Sequence, residues 1–172
     1  MTIQEVTNYL ESIAPLQYQE SYDNAGLIVG SYKDDVSGVL VCLDSTEEII
    51  DEAIERKCNL IVAHHPIVFS GLKKITGKNY VEKTVIKAIK NDIAIYAIHT
   101  NLDNMLNGVN EIIGRKLGLI NTQVLSQSSN NLRKLITYVP LEYVEKVRDS
   151  LFDSGAGKIG NYDECSFSSM GE

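Results

Sequence analysis

The sequence has few of the features that mark secreted, membrane or nucleic-acid-binding proteins. No stretch approaches the roughly 18 apolar residues of a membrane span, and the first residues lack the basic and apolar regions of a secretion signal. Lys and Arg form no cluster, and acidic residues outnumber basic ones by 23 to 16, which disfavours nucleic acid and anionic membranes as partners. We therefore expect a cytoplasmic protein with no nucleic-acid or membrane partner.

Cysteine is scarce as well. Cys42, Cys58 and Cys165 are odd in number and show no CxxC spacing, which argues against a disulfide framework or a zinc ribbon. We expect reduced thiols, with Cys42 and Cys58 in the core. The glycines form no P-loop pattern, so the sequence does not predict a phosphate cradle of that kind.

Helical and strand patterns alternate along the first two thirds of the chain. They predict a helix ending near Pro15, strands over 38–43, 59–63 and 93–98, and helices after Ser45, over 80–90 and over about 108–117. The capping-box spacing of Thr2 with Glu5, and of Ser45 with Glu48, predicts two helix starts. The strand at 38–43 is apolar throughout, which is typical of a strand covered on both faces. This alternation predicts an α/β fold with a mostly parallel sheet and flanking helices.

The composition changes after residue 125. We expect a core domain over 1–125, a linker rich in Ser, Asn and Gln over 126–132, and the start of a second domain over 133–172. That second region predicts a strand from Lys134 to Val139 and a helix from about Leu141 to Phe152. Because so short a β-α unit cannot bury a core alone, we expect the natural domain to continue beyond the end of this chain.

Candidate functional residues follow the predicted strands. Asp44 comes after one strand, His64 and His65 after the next, and His99 after the third, with Asp103 four residues later. The carboxyl ends of parallel strands meet at one edge of an open sheet, where ligands bind. Imidazole and carboxylate groups are ligands for zinc, iron or manganese. A two-metal site with Asp103 as a third ligand is one interpretation, and hydrogen-bonded histidines without a metal are the other.

Four motifs resemble the Nif-three-like family, whose bacterial members are often named GTP cyclohydrolase I type 2 homologs. In the order and spacing of that family, the motifs run from Tyr22 to Gly30, Cys42 to Thr46, Ile61 to Ile67 and His99 to Asp103. The resemblance extends from Met1 to about Leu119 and implies a Nif-three-like core. The stretch from Gly155 to Asp163, with Cys165 and Phe167, is similar to the start of the ferredoxin-like insert found in long members.

The resemblance also implies a ligand set and an assembly. It implies two divalent ions per complete chain, held by His64, His65, Asp103 and a His-x-x-x-Glu pair from a second half. No histidine follows His99 in this sequence, so we expect only partial metal occupancy, since three ligands cannot close two coordination spheres. The family further implies a homo-oligomer, a ring-like hexamer built from dimers with its metal sites facing an inner cavity.

Metal-assisted hydrolysis is the reaction that suits such a site, since paired ions activate water and polarise a substrate oxygen. The other polar residues of the motifs are expected either to orient ligands and substrate or to be structural, and they are His99, Asn101, Asp44, Asp23 and Asn24. In the structural case Asp23 and Asn24 belong to a turn completed by Gly26. The alternatives from other classes are a non-enzymatic metal-binding scaffold, regulator or metal chaperone, and a metal-free nucleotide-binding domain. The second is disfavoured because no glycine fingerprint stands between a predicted strand and helix of residues 1–125.

Overall fold

The computed structural model describes residues 1–125 and 132–171, whose contacts divide the chain into two compact units, Met1–Thr122 and Gln123–Glu172. The linker predicted over 126–132 lies outside the described residues except at Leu132. Among the helices that the structure describes, none is long and apolar enough to cross a membrane.

The first unit combines a four-stranded sheet with helices. Its elements in chain order are α1 (Ile3–Ile13), β1 (Gly26–Val29), β2 (Val39–Cys42), α2 (Glu47–Glu55), β3 (Leu60–Ala63), α3 (Tyr80–Lys90), β4 (Ala94–Ala97), α4 (Thr100–Asp103) and α5 (Val109–Lys116). A 3-10 helix, Leu16–Tyr18, follows α1. The three predicted strands correspond to β2, β3 and β4, and the short helix α4 was not predicted.

The sheet has the order β1-β4-β3-β2. Strands β2, β3 and β4 are parallel neighbours, whereas β1 pairs with β4 in the antiparallel direction. The predicted α/β fold with a mostly parallel sheet and flanking helices is therefore confirmed. Because β2, β3 and β4 run the same way, their carboxyl ends all lie at one edge of the sheet.

The core occupies both faces of the two central strands. Leu60 of β3 packs in a cluster with Ile3 of α1 on one face. Its neighbour Ile61 packs with Ile50 of α2 and Val85 of α3 on the other face, because successive strand residues point in opposite directions. The first unit is thus a three-layer arrangement, with α1 on one side of the sheet and α2 and α3 on the other.

Strand β2 differs from the expectation that it would be covered on both faces. Leu40 and Cys42 pack against the core beside α2 and α3, but Val39 and Val41 are exposed, and Val41 keeps 75% of its surface accessible. The reason is position, since β2 is an edge strand and α1 packs over β3 and β4. An apolar run does not reveal how far the covering helix extends.

The two predicted helix caps have different outcomes. The Thr2 and Glu5 capping box forms, with the Glu5 amide donating to Thr2 Oγ1 over 3.3 Å and the Thr2 amide donating to Glu5 Oε2 over 2.7 Å. The cap predicted at Ser45 is wrong, because Thr46 caps α2 and accepts from the Ile49 amide over 3.4 Å. Two adjacent hydroxyl residues leave the helix start undecided by one residue in the sequence, and in the structure α2 begins at Glu47.

The second unit, over its described residues, has one α-helix. A 3-10 helix, Leu141–Tyr143, leads into α6 (Val144–Asp153), which confirms the helix predicted from about Leu141. The strand predicted from Lys134 to Val139 is wrong, because those residues pair with no strand among the described residues and almost all are exposed. A strand needs a hydrogen-bonded neighbour, which a local sequence pattern cannot supply.

All three cysteines are free thiols, as predicted. Cys42 and Cys58 pack against the core, as predicted, but are partly rather than fully buried, and Cys165 is exposed. Burial raises the pKa of the Cys42 thiol, so this residue behaves as a small apolar side chain at neutral pH.

Candidate metal centre

The three histidines meet at the carboxyl edge of the sheet. His64 directly follows β3, and parallel pairing continues past the strand ends, since the His64 amide donates to the Cys42 carbonyl over 3.1 Å. On the other side, the Ile98 amide donates to the Ala63 carbonyl over 2.9 Å, which places His99 next to the end of β3. The sheet itself therefore brings residues from distant sequence positions to one place.

The imidazole rings form a compact group. The centroid of the His64 ring lies 4.9 Å from that of His65 and 5.3 Å from that of His99, and the His65 and His99 centroids are 5.5 Å apart. One ring nitrogen from each lies within 4.8 Å of those of the other two. These three residues, which we call the histidine cluster, are the group that could hold a metal ion among the described residues.

In every ring of the histidine cluster, Nδ1 is hydrogen-bonded to an oxygen atom. His64 Nδ1 lies 2.9 Å from the Ile98 carbonyl oxygen, His65 Nδ1 lies 2.8 Å from Asp44 Oδ1, and His99 Nδ1 lies 2.8 Å from Asp23 Oδ1. A carbonyl can only accept, so Nδ1 of His64 must donate and its Nε2 keeps a free lone pair. The carboxylates favour the same tautomer in His65 and His99. Metal-binding histidines are commonly oriented in this way.

Asp23 is far more enclosed than Asp44, since its side chain has no exposed surface. Its Oδ2 accepts from the Thr100 amide over 3.1 Å and also from the Thr100 hydroxyl. Burial raises the pKa of Asp23, but hydrogen bonds from His99, Thr100 and the Asn24 amide outweigh that effect and hold the pKa below its usual value. The carboxylate form of Asp23 is thus favoured, and its Oδ1 serves as the acceptor for His99 Nδ1.

Asp103 reaches the histidine cluster from the end of α4. Its Oδ1 lies 3.9 Å from His64 Nε2, which is too far for a hydrogen bond but close enough for both atoms to approach a shared cation. The single turn of α4 after His99 produces this approach. Of the predicted ligands, His64 and His65 thus lie in one cluster and Asp103 lies beside His64, and the structure adds His99 to the cluster.

Two other predicted residues bond to the backbone rather than to the cluster. Asn101 is fully buried, accepts from the His99 amide over 2.9 Å and donates to the Ala14 carbonyl over 2.7 Å. Asn24 donates to the Val68 carbonyl over 2.6 Å, and Gly26 has a φ of +112°. Their contacts are those of the structural alternative, in which the motif residues fix loops around the site.

The sequence alone did not reveal three further residues near the site. Thr100 donates to Asp23 Oδ2 through both its amide and its hydroxyl, and its place directly after His99 was the available signal. The Phe69 ring stands edge-on to the His99 ring, with centroids 6.5 Å apart, and Tyr22 lies beside Phe69. Phe69 had no sequence signal, and Tyr22 had only its place at the start of the first motif, because the approach of the two rings depends on the path of two loops.

Fold and site together define a class: a three-layer α/β protein with imidazole and carboxylate groups at the carboxyl edge of a mostly parallel sheet. The family model described as Duf34/NIF3 (NGG1p interacting factor 3) matches residues 1–170. The chain belongs to the Duf34/NIF3 family, which is the family that the four motifs resembled.

Relatives of known name agree with this assignment. The GTP cyclohydrolase 1 type 2 homolog of Bacillus subtilis (strain 168) is 43% identical over 169 residues, which are 98% of this chain and 45% of that protein. The protein of the same name from Staphylococcus epidermidis is 39% identical over 172 residues, 100% of this chain and 47% of that protein. The chain thus spans about half the length of the curated relatives that it matches.

Solved structures give the same result for the fold. A Bacillus cereus protein related to NIF3 superposes with a TM-score of 0.70 at 42% identity, covering 99% of this chain and 48% of that one. Reduced HcgD from Methanocaldococcus jannaschii superposes with a TM-score of 0.68 at 28% identity, covering 73% of this chain and 50% of that one.

Proposed function

We propose that this Duf34/NIF3 protein binds divalent metal through His64, His65 and Asp103 and acts as a metal-dependent hydrolase. The observation that carries the proposal is the common state of the three imidazoles. Each has Nδ1 bonded to an oxygen and a second nitrogen free for coordination. Three histidines that merely stabilised a loop would have no need for the same arrangement.

The chemistry of the donor set fits a divalent ion. Imidazole nitrogen with carboxylate oxygen suits zinc, iron or manganese, and the described residues near the cluster offer no thiolate for a structural zinc site. Asp44 and Asp23 support the rings from outside, which is the usual role of carboxylates behind metal-binding histidines. Two ions per complete protein remain the expectation from the family resemblance.

His99 shares the orientation of the two proposed histidine ligands. The sequence predicts that it either orients ligands and substrate or is structural, whereas its ring belongs to the group whose nitrogens lie within 4.8 Å of one another. Its Nδ1 is held by Asp23 as firmly as Nδ1 of His65 is held by Asp44. A single His99→Ala variant, measured beside the variants below, decides whether it counts as a ligand.

Bound ions would supply the Lewis acidity that metal-assisted hydrolysis requires. The protein's own contribution is the fixed orientation of the rings and a partly open edge. His65 and Asp44 are the more exposed pair of the site, whereas His64 and His99 are more enclosed. A substrate would therefore approach from the side of His65.

The proposal is tested by the metal content of a double variant. We expect His64→Ala/His65→Ala to lose the zinc or manganese bound by the parent chain, because two of the ring nitrogens are removed. Elemental analysis of the purified protein and calorimetric titration with Zn²⁺ and Mn²⁺ measure this. Unchanged metal content in the double variant rejects the assignment.

A matched pair of carboxylate variants serves as the control. Asp103→Asn removes the charge next to His64 and should weaken metal binding, whereas Asp149→Asn removes an exposed charge from α6 and should not. Circular dichroism confirms that each variant is folded. Equal metal binding by the two variants would remove Asp103 from the site.

A further inference from the structure

Two exposed aromatic side chains form a row with the histidine cluster. The Phe69 ring lies edge-on to His99, at 83° and with centroids 6.5 Å apart. The Tyr22 ring lies 6.3 Å from Phe69 at 48°. Tyr22 is 64% exposed and Phe69 50% exposed, so both rings contribute little to the core.

The backbone that carries Phe69 is nevertheless fixed. Pro66 and Ile67, which precede it, are buried, and the Val68 carbonyl accepts from Asn24 Nδ2 over 2.6 Å. The segment thus holds Phe69 beside His99 while leaving half of its ring accessible.

The backbone that carries Tyr22 is held by the same part of the site. The Glu20 amide donates to Thr100 Oγ1 over 2.9 Å, and the Asp23 amide donates to the Glu20 carbonyl over 3.0 Å. The Asp23 carboxylate in turn accepts from His99. Both aromatic residues therefore belong to segments anchored around the histidine cluster.

Exposed aromatic rings on anchored backbone segments beside a reaction site are suited to recognising another ring. Aromatic pairs favour offset or edge-to-face geometries with centroids about 4.5 to 7 Å apart, which a third ring could adopt against these two. We propose that Tyr22 and Phe69 bind a planar aromatic ring of the substrate and place it beside the histidine cluster. This inference rests on the proposed function, since it takes the cluster as the reaction site.

A nearby cleft has to be distinguished from this aromatic surface. The cleft has a volume of about 460 Å³ and apolar walls, and its lining includes Leu27, Val68, Leu72 and Val85. Asn24 and Val68, whose mutual hydrogen bond holds the Phe69 segment, both line it. A purely apolar ligand would favour this cleft, whereas a planar ring would require Tyr22 and Phe69.

The test compares naphthol with its saturated counterpart, decahydronaphthol, as probes of the 172-residue chain. Saturation-transfer NMR titrations give the affinity of each probe for the parent and for Tyr22→Ala/Phe69→Ala. We expect naphthol to bind more tightly than decahydronaphthol and to lose about tenfold in affinity in the double alanine variant. The matched variant Tyr22→Phe/Phe69→Tyr keeps both rings and should retain the parent's affinity.

Several results would overturn the inference. They are failure of naphthol to bind, equal binding of the two probes, and undiminished naphthol binding by the double alanine variant. The last of these would mean that naphthol binds in the apolar cleft. A shift from oligomer to monomer in sedimentation of the alanine variant, without loss of naphthol binding, would assign the aromatic surface to a second copy of the chain. Because both side chains are exposed, the variants should remain folded, and circular dichroism verifies this.

Failure of this inference can be told apart from failure of the proposed metal site. The Zn²⁺ titration of Tyr22→Ala/Phe69→Ala should match that of the parent, because neither residue carries a ligand. A parent chain that binds naphthol but no Zn²⁺ would refute the metal site alone. A chain that binds Zn²⁺ but not naphthol would refute the aromatic surface alone.

Discussion

The two units of the chain bury their side chains to very different extents. In Met1–Thr122, every residue of β3 and β4 is buried. In the described part of Gln123–Glu172, no residue is buried, although α6 has an amphipathic pattern and the residues before it are partly apolar. The first unit thus has a core that fixes the candidate site, whereas the second, over these residues, has regular structure without a core.

This difference separates local from non-local causes of structure. A helix forms its backbone hydrogen bonds within one segment, so α6 lies close to the range predicted for it even though none of its side chains is buried. A strand needs a neighbour, and the apolar segment 134–139 has none among the described residues. The apolar segment of β3 became a strand because β2 and β4 pair with it on both sides.

The largest expected effect comes from a cavity in the buried sheet of the first unit. Ile61 is fully buried where β3 packs against α2 and α3. The change Ile61→Ala should therefore lower the free energy of unfolding by about 2 to 5 kcal/mol. The matched change in the second unit is Leu141→Ala, at an exposed position, with an expected effect within about 0.5 kcal/mol.

Urea denaturation followed by circular dichroism measures both variants, and hydrogen exchange assigns each change to one unit. Protection should fall in β3 and β4 of the Ile61 variant and remain unchanged in the Leu141 variant. A comparable loss of stability in both variants would show that Leu141 has buried contacts and would remove the contrast between the units.

Much of the candidate site could be predicted from the sequence because parallel strands share one carboxyl edge. The positions of His64, His65 and His99 after successive strands were sufficient to predict that their side chains meet. The approach of Asp103 depended on a helical turn after His99, which the four-residue spacing allowed. Only the meeting of the histidines therefore followed from strand order and direction, because the turn of α4 that carries Asp103 was not predicted.

The remaining details could not be predicted, because they depend on backbone atoms and loop paths. The oxygen that orients His64 is the carbonyl of Ile98, and a carbonyl has no sequence signal. The position of Phe69 beside His99 results from the buried segment before it and from a side-chain bond to Val68. Likewise, the exposure of Val41 reflects which strands α1 covers.

A smaller expected effect concerns how helices begin in the two units. Thr46 caps α2 through its side chain, whereas α6 begins after Tyr143 without a side-chain cap. Thr46→Ala should therefore cost about 1 kcal/mol of unfolding free energy. Thermal and urea unfolding measure the change.

Ser45→Ala is the matched control for this prediction. The Ser45 hydroxyl is buried without a hydrogen-bond partner among the described residues, so its removal should leave stability unchanged or slightly increased. A larger loss for Ser45→Ala than for Thr46→Ala would restore Ser45 as the cap and contradict the structure at this helix start.

The smallest expected effect is a pH dependence confined to the first unit. Amides of Lys78 and Thr76 donate to the Glu82 carboxylate over 3.0 and 2.9 Å, and these bonds hold the pKa of Glu82 below its usual value. The folded protein therefore favours the carboxylate form of Glu82. The stability that this carboxylate provides is fully present above the pKa of a Glu side chain in the unfolded chain, about 4.3. That stability is lost as the pH falls through the lower pKa of the folded state.

Glu82→Gln should accordingly be less stable than the parent at neutral pH, and the difference should shrink as the pH falls from about 6 to about 3. Thermal unfolding across this range measures the difference. Glu142→Gln changes an exposed carboxyl in the second unit and should leave the stability at each pH unchanged. A stability difference between Glu82→Gln and the parent that stays constant with pH would contradict this prediction. It would mean that the amides of Thr76 and Lys78 bond equally well to protonated and to ionised Glu82, so that the charge of Glu82 is not what stabilises this loop.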